Sequence, residues 1–173
     1  MTTSDGPALR YYRSLEGAWS GRLVFEITDT HALRTEKASV ALPVASMALL
    51  SYLTGPSRMS TTLAAGPDPE GRTFVHTTRV EALGVTAFET SEVISVREDG
   101  ESFHVAGTQR SWLGRPQGYE ATGEIDASGT AATYRVPWFG TLLVQRTRIE
   151  TGTLSLAQET RWSRANVVLA RRG

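Results

Sequence analysis

From Met59 onward the chain alternates short apolar and polar runs with turn residues. The breaks fall at Gly66 to Gly71, Ala82-Leu83-Gly84, Asp99-Gly100, Gly114 to Gly118, Asp126 to Gly129 and Thr151-Gly152. Alternation at period two between such breaks is the pattern of strands that cover one face, and the even spacing predicts an antiparallel meander. Arg22-Leu23-Val24-Phe25-Glu26-Ile27 alternates in the same way and predicts a first strand ahead of it. Pro7 to Leu15 predicts a short helix, with Pro in its first turn and Gly17 past its end, placed to close one mouth. Between the first strand and Met59, the residues Val40, Val44, Met47, Leu50 and Leu53 recur at helical spacing and Gly55-Pro56 stops them, which predicts a capping helix over about 38–53. Residues 1–6 read as a disordered lead and 7–173 as one domain, with no internal repeat, low-complexity tract or shift of composition. The expected fold is all-β: a closed antiparallel up-and-down barrel of about eight to ten strands, with a short N-terminal helix and one capping helix.

Turn chemistry fixes register, and register decides which side chains point inward. With Asp99-Gly100 as a turn, Val96 faces Phe103, Ile94 faces Val105, Glu92 faces Gly107 and Thr90 faces Gln109, a mostly apolar set that belongs inside. Glu89 with Arg110 and His104 with Ser95 then fall outside. Reading Ala82-Leu83-Gly84 as a three-residue turn with Gly84 at positive φ pairs Thr78 with Phe88, His76 with Thr90 and Phe74 with Glu92. A four-residue loop over 126–129 sets Tyr119 against Val136, Ala121 against Tyr134, Gly123 against Ala132 and, outside, Glu120 against Arg135. Thr151-Gly152 as a turn pairs Ile149 with Leu154, Thr147 with Leu156, Gln145 with Gln158 and Leu143 with Thr160. Arg146, Arg148, Glu159 and Arg161 are then outside. Thr-Gly is a weaker turn signal than Asp-Gly, and a slip of one residue here would turn Arg146 inward.

These registers place Phe74, His76, Phe88, Glu92, Tyr119, Tyr134, Trp138, Gln145 and Gln158 around the lumen as ligand-binding candidates. The aromatic residues Tyr119, Tyr134, Trp138 and Trp162 would form an apolar wall, with Gly107, Ala121, Gly123 and Ala132 leaving space before it. A histidine flanked by Thr78, Thr90 and Glu92 has the chemistry of a metal or heme ligand or of a general base oriented by a carboxylate; its plainer reading is a histidine satisfied by a neighbouring hydroxyl. A buried Glu92 needs a donor such as His76 or Gln109, or its pKa must rise. Gln145 and Gln158 either grip a ligand or bond each other.

Eighteen basic and eighteen acidic residues cancel with no basic stretch, which argues against nucleic acid as a partner. The absence of cysteine removes thiolate chemistry and zinc–thiolate sites. With His31 in a loop and His104 outside, three or four metal ligands do not assemble, so no metal or other cofactor is expected. The first residues lack a signal pattern, and the apolar stretch around Val40 to Leu53 is broken by Pro43 and serines. The expectation is a soluble cytoplasmic protein without membrane insertion. Its oligomeric state is open, a homodimer included.

Gly17-Ala18-Trp19 opening the first strand, with the Arg-rich end Arg161-Trp162-Ser163-Arg164 leading to Leu169-Ala170-Arg171, resembles the calycin superfamily of lipocalins and fatty-acid-binding proteins. The resemblance implies Trp19 on the barrel floor beneath an Arg, with Arg161, Arg164 and Arg171 all eligible, and likens the capping helix to those that fatty-acid-binding proteins insert between their first two strands. Nitrobindin-like heme barrels of the same superfamily carry a proximal His near the chain end, for which this chain has no counterpart after Gly140. The expected function is binding of a small, mostly apolar ligand in a lipocalin-like barrel. The alternative is an enzyme on that barrel, an isomerase, cyclase or lyase without metal, catalysing isomerisation, cyclisation or hydration with His76 and Glu92 as its proton-transfer pair. A third reading, a filled barrel that binds partners, predicts no cavity.

Overall fold

The structure, a computed structural model, describes residues 5–37, 41, 44–46, 48–49, 52–53, 55–112, 114–138 and 141–173. Helix α1 (Pro7–Leu15) leads into strand β1 (Gly17–Ile27). After the short helix α2 (Thr30–Arg34) come β2 (Ser57–Ala65), β3 (Thr73–Ala82), β4 (Val85–Val96), β5 (Ser102–Ser111), β6 (Gln117–Ile125), β7 (Ala131–Trp138), β8 (Thr141–Glu150), β9 (Thr153–Glu159) and β10 (Ser163–Arg171). Each strand pairs antiparallel with its sequence neighbours, and β1 pairs with both β2 and β10, so the ten strands close into an up-and-down barrel. Closure removes free edges, and ten strands enclose a wider interior than eight. Alternate residues are buried, as on β2, where Ser57, Met59, Thr61 and Leu63 face in while Arg58 and Thr62 face out.

Register follows the expected pairs on two hairpins, β4–β5 and β8–β9. Val96 lies opposite Phe103, Glu92 opposite Gly107 and Thr90 opposite Gln109. Ile149 faces Leu154, Thr147 faces Leu156 and Gln145 faces Gln158, so Arg146 points outward and pairs with Glu159 at 2.9 Å. Two hairpins differ by two residues. Between β3 and β4 the turn has only two central residues, Leu83 (φ 52°) and Gly84 (φ 75°), and a bulge follows at Val80/Glu81. His76 therefore lies opposite Glu92 rather than Thr90, Phe74 opposite Ile94, and Thr78 opposite Thr90. Between β6 and β7, Asp126 N donates to Ala131 O, so the four-residue loop is 127–130 and Gly123 meets Tyr134. The Asp126 carboxylate accepts from the amides of Thr130 and Ala131 and from the Ser128 hydroxyl, contacts that hold its pKa down to about 2. Shifts of two residues preserve facing, so the inward set is unchanged.

α1 plugs one end. Its apolar spacing, Ala8, Tyr11, Tyr12 and Leu15, places one stripe on the barrel, and Ala8 N donates to Gly100 O in the β4–β5 turn at 2.9 Å. The C-terminal end of α1 is tied down from two strands. Trp19 Nε1 donates to Leu15 O at 2.8 Å, and the Arg171 guanidinium sits 4.9 Å from the centre of the Trp19 ring while donating to Ser14 O and Glu16 O. Of the three eligible arginines it is Arg171 that covers Trp19. Arg161 pairs instead with Glu36, and Arg164 with Glu159.

At the other end, the described residues between 41 and 53 are helical and Val44 is fully buried, whereas Leu53 is exposed. Val40, Met47 and Leu50 of the expected stripe, and residues 1–4 of the expected lead, lie outside the described residues. α2 was not foreseen and carries His31, which sequence reading put in a loop. Its N-cap Asp29 accepts from Ala32 N at 2.9 Å. Glu36, just beyond α2, accepts from Trp162 Nε1 at 3.1 Å and so fastens this region to the start of β10. No helix among the described residues is long and apolar enough to cross a membrane.

Replacing Trp19 with Ala removes a buried ring and its hydrogen bond and is expected to cost about 3–5 kcal/mol of folding stability. Arg171→Met keeps the stem and loses the charge, at about 1 kcal/mol. Urea denaturation followed by tryptophan fluorescence checks the order; equal losses would show that the charge, not the ring, closes this end.

Candidate functional site

The barrel interior holds a cavity of about 100 Å³. Of the nine residues singled out from sequence, His76, Phe88, Glu92, Tyr119, Tyr134, Trp138, Gln145 and Gln158 line it. Phe74 does not. It is buried beneath the cavity, stacked on Tyr12 at 5.3 Å between ring centres, and Tyr12 meets Phe103 edge-on at the same distance. The two-residue shift moved Phe74 one layer toward α1, where the helix supplies the ring that covers it.

Several lining residues were missed or underweighted. Tyr11 and Tyr12 enter from α1, and Met59, Thr61, Leu63, Thr147 and Leu156 enter from strands. The tyrosines had a signal, since they sit on the apolar stripe of α1, but their entry into the lumen depends on how the helix docks.

Glu92 is the electrostatic centre of the lumen and only 6% exposed. Its Oε2 accepts from His76 Nδ1 at 2.5 Å, and its Oε1 accepts from the Tyr119 hydroxyl. Gln109, the other donor considered, turns away and donates to Pro137 O at 3.0 Å. Burial alone raises the pKa of this carboxyl, but the His76 hydrogen bond and charge, with the Tyr119 bond, outweigh burial and hold it below its ordinary value. The imidazole is held at its other nitrogen too, with Nε2 2.5 Å from Thr61 Oγ1. Thr61 Oγ1 also lies 2.9 Å from Thr77 O, so its hydroxyl ties the imidazole to the β3 backbone. The cluster is thus a carboxylate bonded to an imidazole that is held at both ring nitrogens.

Gly107 makes this possible. A Cβ there would come within 3.0 Å of Glu92 Cγ and 2.8 Å of Ser91 O. Gly123 works differently from expectation, because the room it leaves is filled by Phe103 and Tyr134, whose atoms would lie 2.3 and 2.4 Å from an added Cβ. Small inward residues here admit neighbouring side chains more than ligand.

A second polar run crosses the far wall. Gln158 Nε2 donates to Gln145 Oε1 at 2.6 Å, and Gln145 Nε2 donates to the Tyr134 hydroxyl. The Tyr11 hydroxyl bonds Thr147 Oγ1. Burial raises the pKa of Tyr11, Tyr12, Tyr119 and Tyr134, with further increments at Tyr119 and Tyr134 from the charge of Glu92, so all four phenols stay neutral. Trp138 lies tilted against Trp162 at 5.7 Å and meets Phe88 edge-on at 6.4 Å, forming the wall at the end away from α1. His104 lies on the outer face 3.8 Å from Glu120. Among the described residues no group of three or more His, Cys, Asp or Glu is placed to hold a metal ion.

The fold is a closed ten-stranded up-and-down barrel with a cavity in its interior. Among solved structures, the chain is similar to Rv2717c from M. tuberculosis, at 14% identity and TM-score 0.62 over 98% of this chain and 100% of that one. It is also similar to the REP1-NXSQ fatty acid transporter, at 10% identity and TM-score 0.54 over 93% and 98% of the two chains. At such identities the likeness is one of fold. No family model matches the sequence, and no curated protein matches it.

Glu92→Gln keeps the shape of the cluster and removes its charge. Because the folded-state pKa of Glu92 is lowered, its contribution is fully present above the ordinary carboxylate pKa and is lost as pH falls through the folded value. The variant is expected to be less stable than wild type by about 2 kcal/mol at pH 7, with the gap closing toward pH 3. Urea titrations at the two pH values measure it; a gap that widens in acid would overturn the assignment of a charged Glu92.

Proposed function

We propose that the protein binds one small, mostly apolar molecule inside its barrel. The observation that carries this reading is the cavity inside the barrel, lined largely by aliphatic and aromatic side chains with a few convergent polar groups, which is the usual make-up of a small-molecule site. The shared barrel of a structure described as a fatty acid transporter supports ligand binding in such a lumen. A filled barrel acting only as a partner-binding module has no use for a cavity. The apolar wall would supply most of the affinity, at roughly 25 cal/mol per Å² of surface buried. The His76–Glu92–Tyr119 cluster and the Gln158–Gln145–Tyr134 run would set the orientation. Native mass spectrometry of the protein purified from its own source is expected to show a species heavier than the 18.8 kDa chain. Leu156→Trp, which fills the lumen from β9, is expected to abolish that species. Wild type and variant both free of added mass would overturn the reading.

A second reading is favoured by one contact. A proton-transfer enzyme needs His76 within hydrogen-bond reach of Glu92, and the two are 2.5 Å apart. On this reading Glu92 orients the imidazole, and His76 moves a proton during isomerisation, cyclisation or hydration of an apolar substrate. His76→Ala would then lower turnover of the co-purifying molecule by about 100-fold or more while binding is kept. Parallel loss of both, or no turnover by wild type, leaves the carrier reading alone.

A further inference from the structure

The chain has eighteen lysine and arginine side chains, all within the described residues, and none of them lines the lumen. All are exposed except Arg72, which lies at the rim of the β2–β3 loop with 36% of its side chain exposed, near Glu70. Among the described residues, Glu92 is the one carboxylate inside, and its partner His76 is the one group there able to carry positive charge. Both of its nitrogens are already engaged. Nδ1 is bonded to Glu92 and Nε2 to Thr61, so the imidazole is no free cation for a guest's charge. The remaining polar lining consists of hydroxyls and amides.

An anionic headgroup entering this lumen would leave water, find no free cation, and sit near a carboxylate of its own sign. A cationic headgroup would find Glu92 with both oxygens occupied, one by His76 and one by Tyr119. A neutral headgroup meets neither obstacle. In the run on the far wall Tyr134 serves as acceptor and Gln158 as donor, which leaves the Tyr134 proton and Gln158 Oε1 as one donor and one acceptor on lumen-lining residues. Hydroxyl and primary amide groups both accept and donate, and match that pair.

We propose that the lumen selects an uncharged aliphatic molecule carrying a hydroxyl or amide headgroup, and discriminates against the carboxylate of the same chain length. This rests on reading the lumen as a ligand site, and it separates the chain by ligand class from a fatty acid carrier. The test compares 1-octanol, octanoate and octylamine on the full chain at pH 8, by calorimetry and by quenching of tryptophan fluorescence. 1-Octanol is expected to bind at least tenfold more tightly than either charged probe, and Leu156→Trp to abolish its binding. Octanoate or octylamine binding as tightly as the alcohol overturns the proposal while leaving a ligand-binding barrel in place. Octanol binding that survives Leu156→Trp lies outside the lumen and also overturns it. Failure of all three probes to bind overturns the ligand-site reading on which it stands.

Discussion

Once β1 pairs with β10 on one side and β2 on the other, every strand has a face that never meets solvent, and the two-residue period of the backbone assigns that face without appeal to anything else. Everything inside the barrel depends on this closure. It places Glu92 where water cannot solvate it, and so requires His76 and Tyr119 to do so. It also places Trp19 at the end where α1 arrives, so that Arg171, the last residue of β10, can cover the ring and accept the task of satisfying the open carbonyls of the helix. An open sheet of the same strands would leave the Glu92 face exposed and the helix end untied.

The parity of the strands was legible in the sequence, and the register only partly so. Asp99-Gly100 and Thr151-Gly152 mark their turns with a glycine at positive φ, and the pairs counted outward from them are the pairs found. Ala82-Leu83-Gly84 misleads because the fold uses two positive-φ residues, and one of them is leucine, a residue that seldom adopts that conformation. Sequence reading grants the left-handed region to Gly84 alone and so makes the turn one residue too long. Asp126 misleads in another way. It looks like a loop residue, but its amide continues the ladder while its carboxylate caps the loop that follows. The turn misreading and the bulge at Val80/Glu81 together displaced the β3–β4 register by two residues, as the Asp126 misreading did for β6–β7, so the candidate site kept its members and lost only Phe74.

The loss of Phe74 and the gain of Tyr11 and Tyr12 share a cause that no local pattern contains. A helix that merely covers a mouth and one that inserts rings into it have the same apolar spacing, and only the docking distance separates them. α1 docks closely because glycines at the loop tips, Gly100 and Gly129, let its first turn approach the barrel backbone. Its tyrosines then occupy the volume beneath the cavity, where Phe74 and Phe103 complete the aromatic floor. The lumen is therefore shorter than the strands that enclose it, and its polar groups lie above a closed base.

A buried, fully bonded ionic cluster is weak evidence for stability, since apolar residues of the same volume often serve a core as well or better. The His76–Glu92–Tyr119 cluster does not extend the apolar core that the floor and the tryptophan wall already provide. What it does is fix charge and hydrogen-bond direction at one side of a cavity whose other surfaces are mostly aliphatic or aromatic. Thr61 holds the imidazole from behind, and Gly107 keeps the carboxylate from being crowded out of position. Residues on β2, β3, β4, β5 and β6 thus cooperate to hold one carboxylate in one orientation. Such positioning has little use in a packed core, where any apolar filling suffices, and a definite use where a guest must be accepted in one sense and not another.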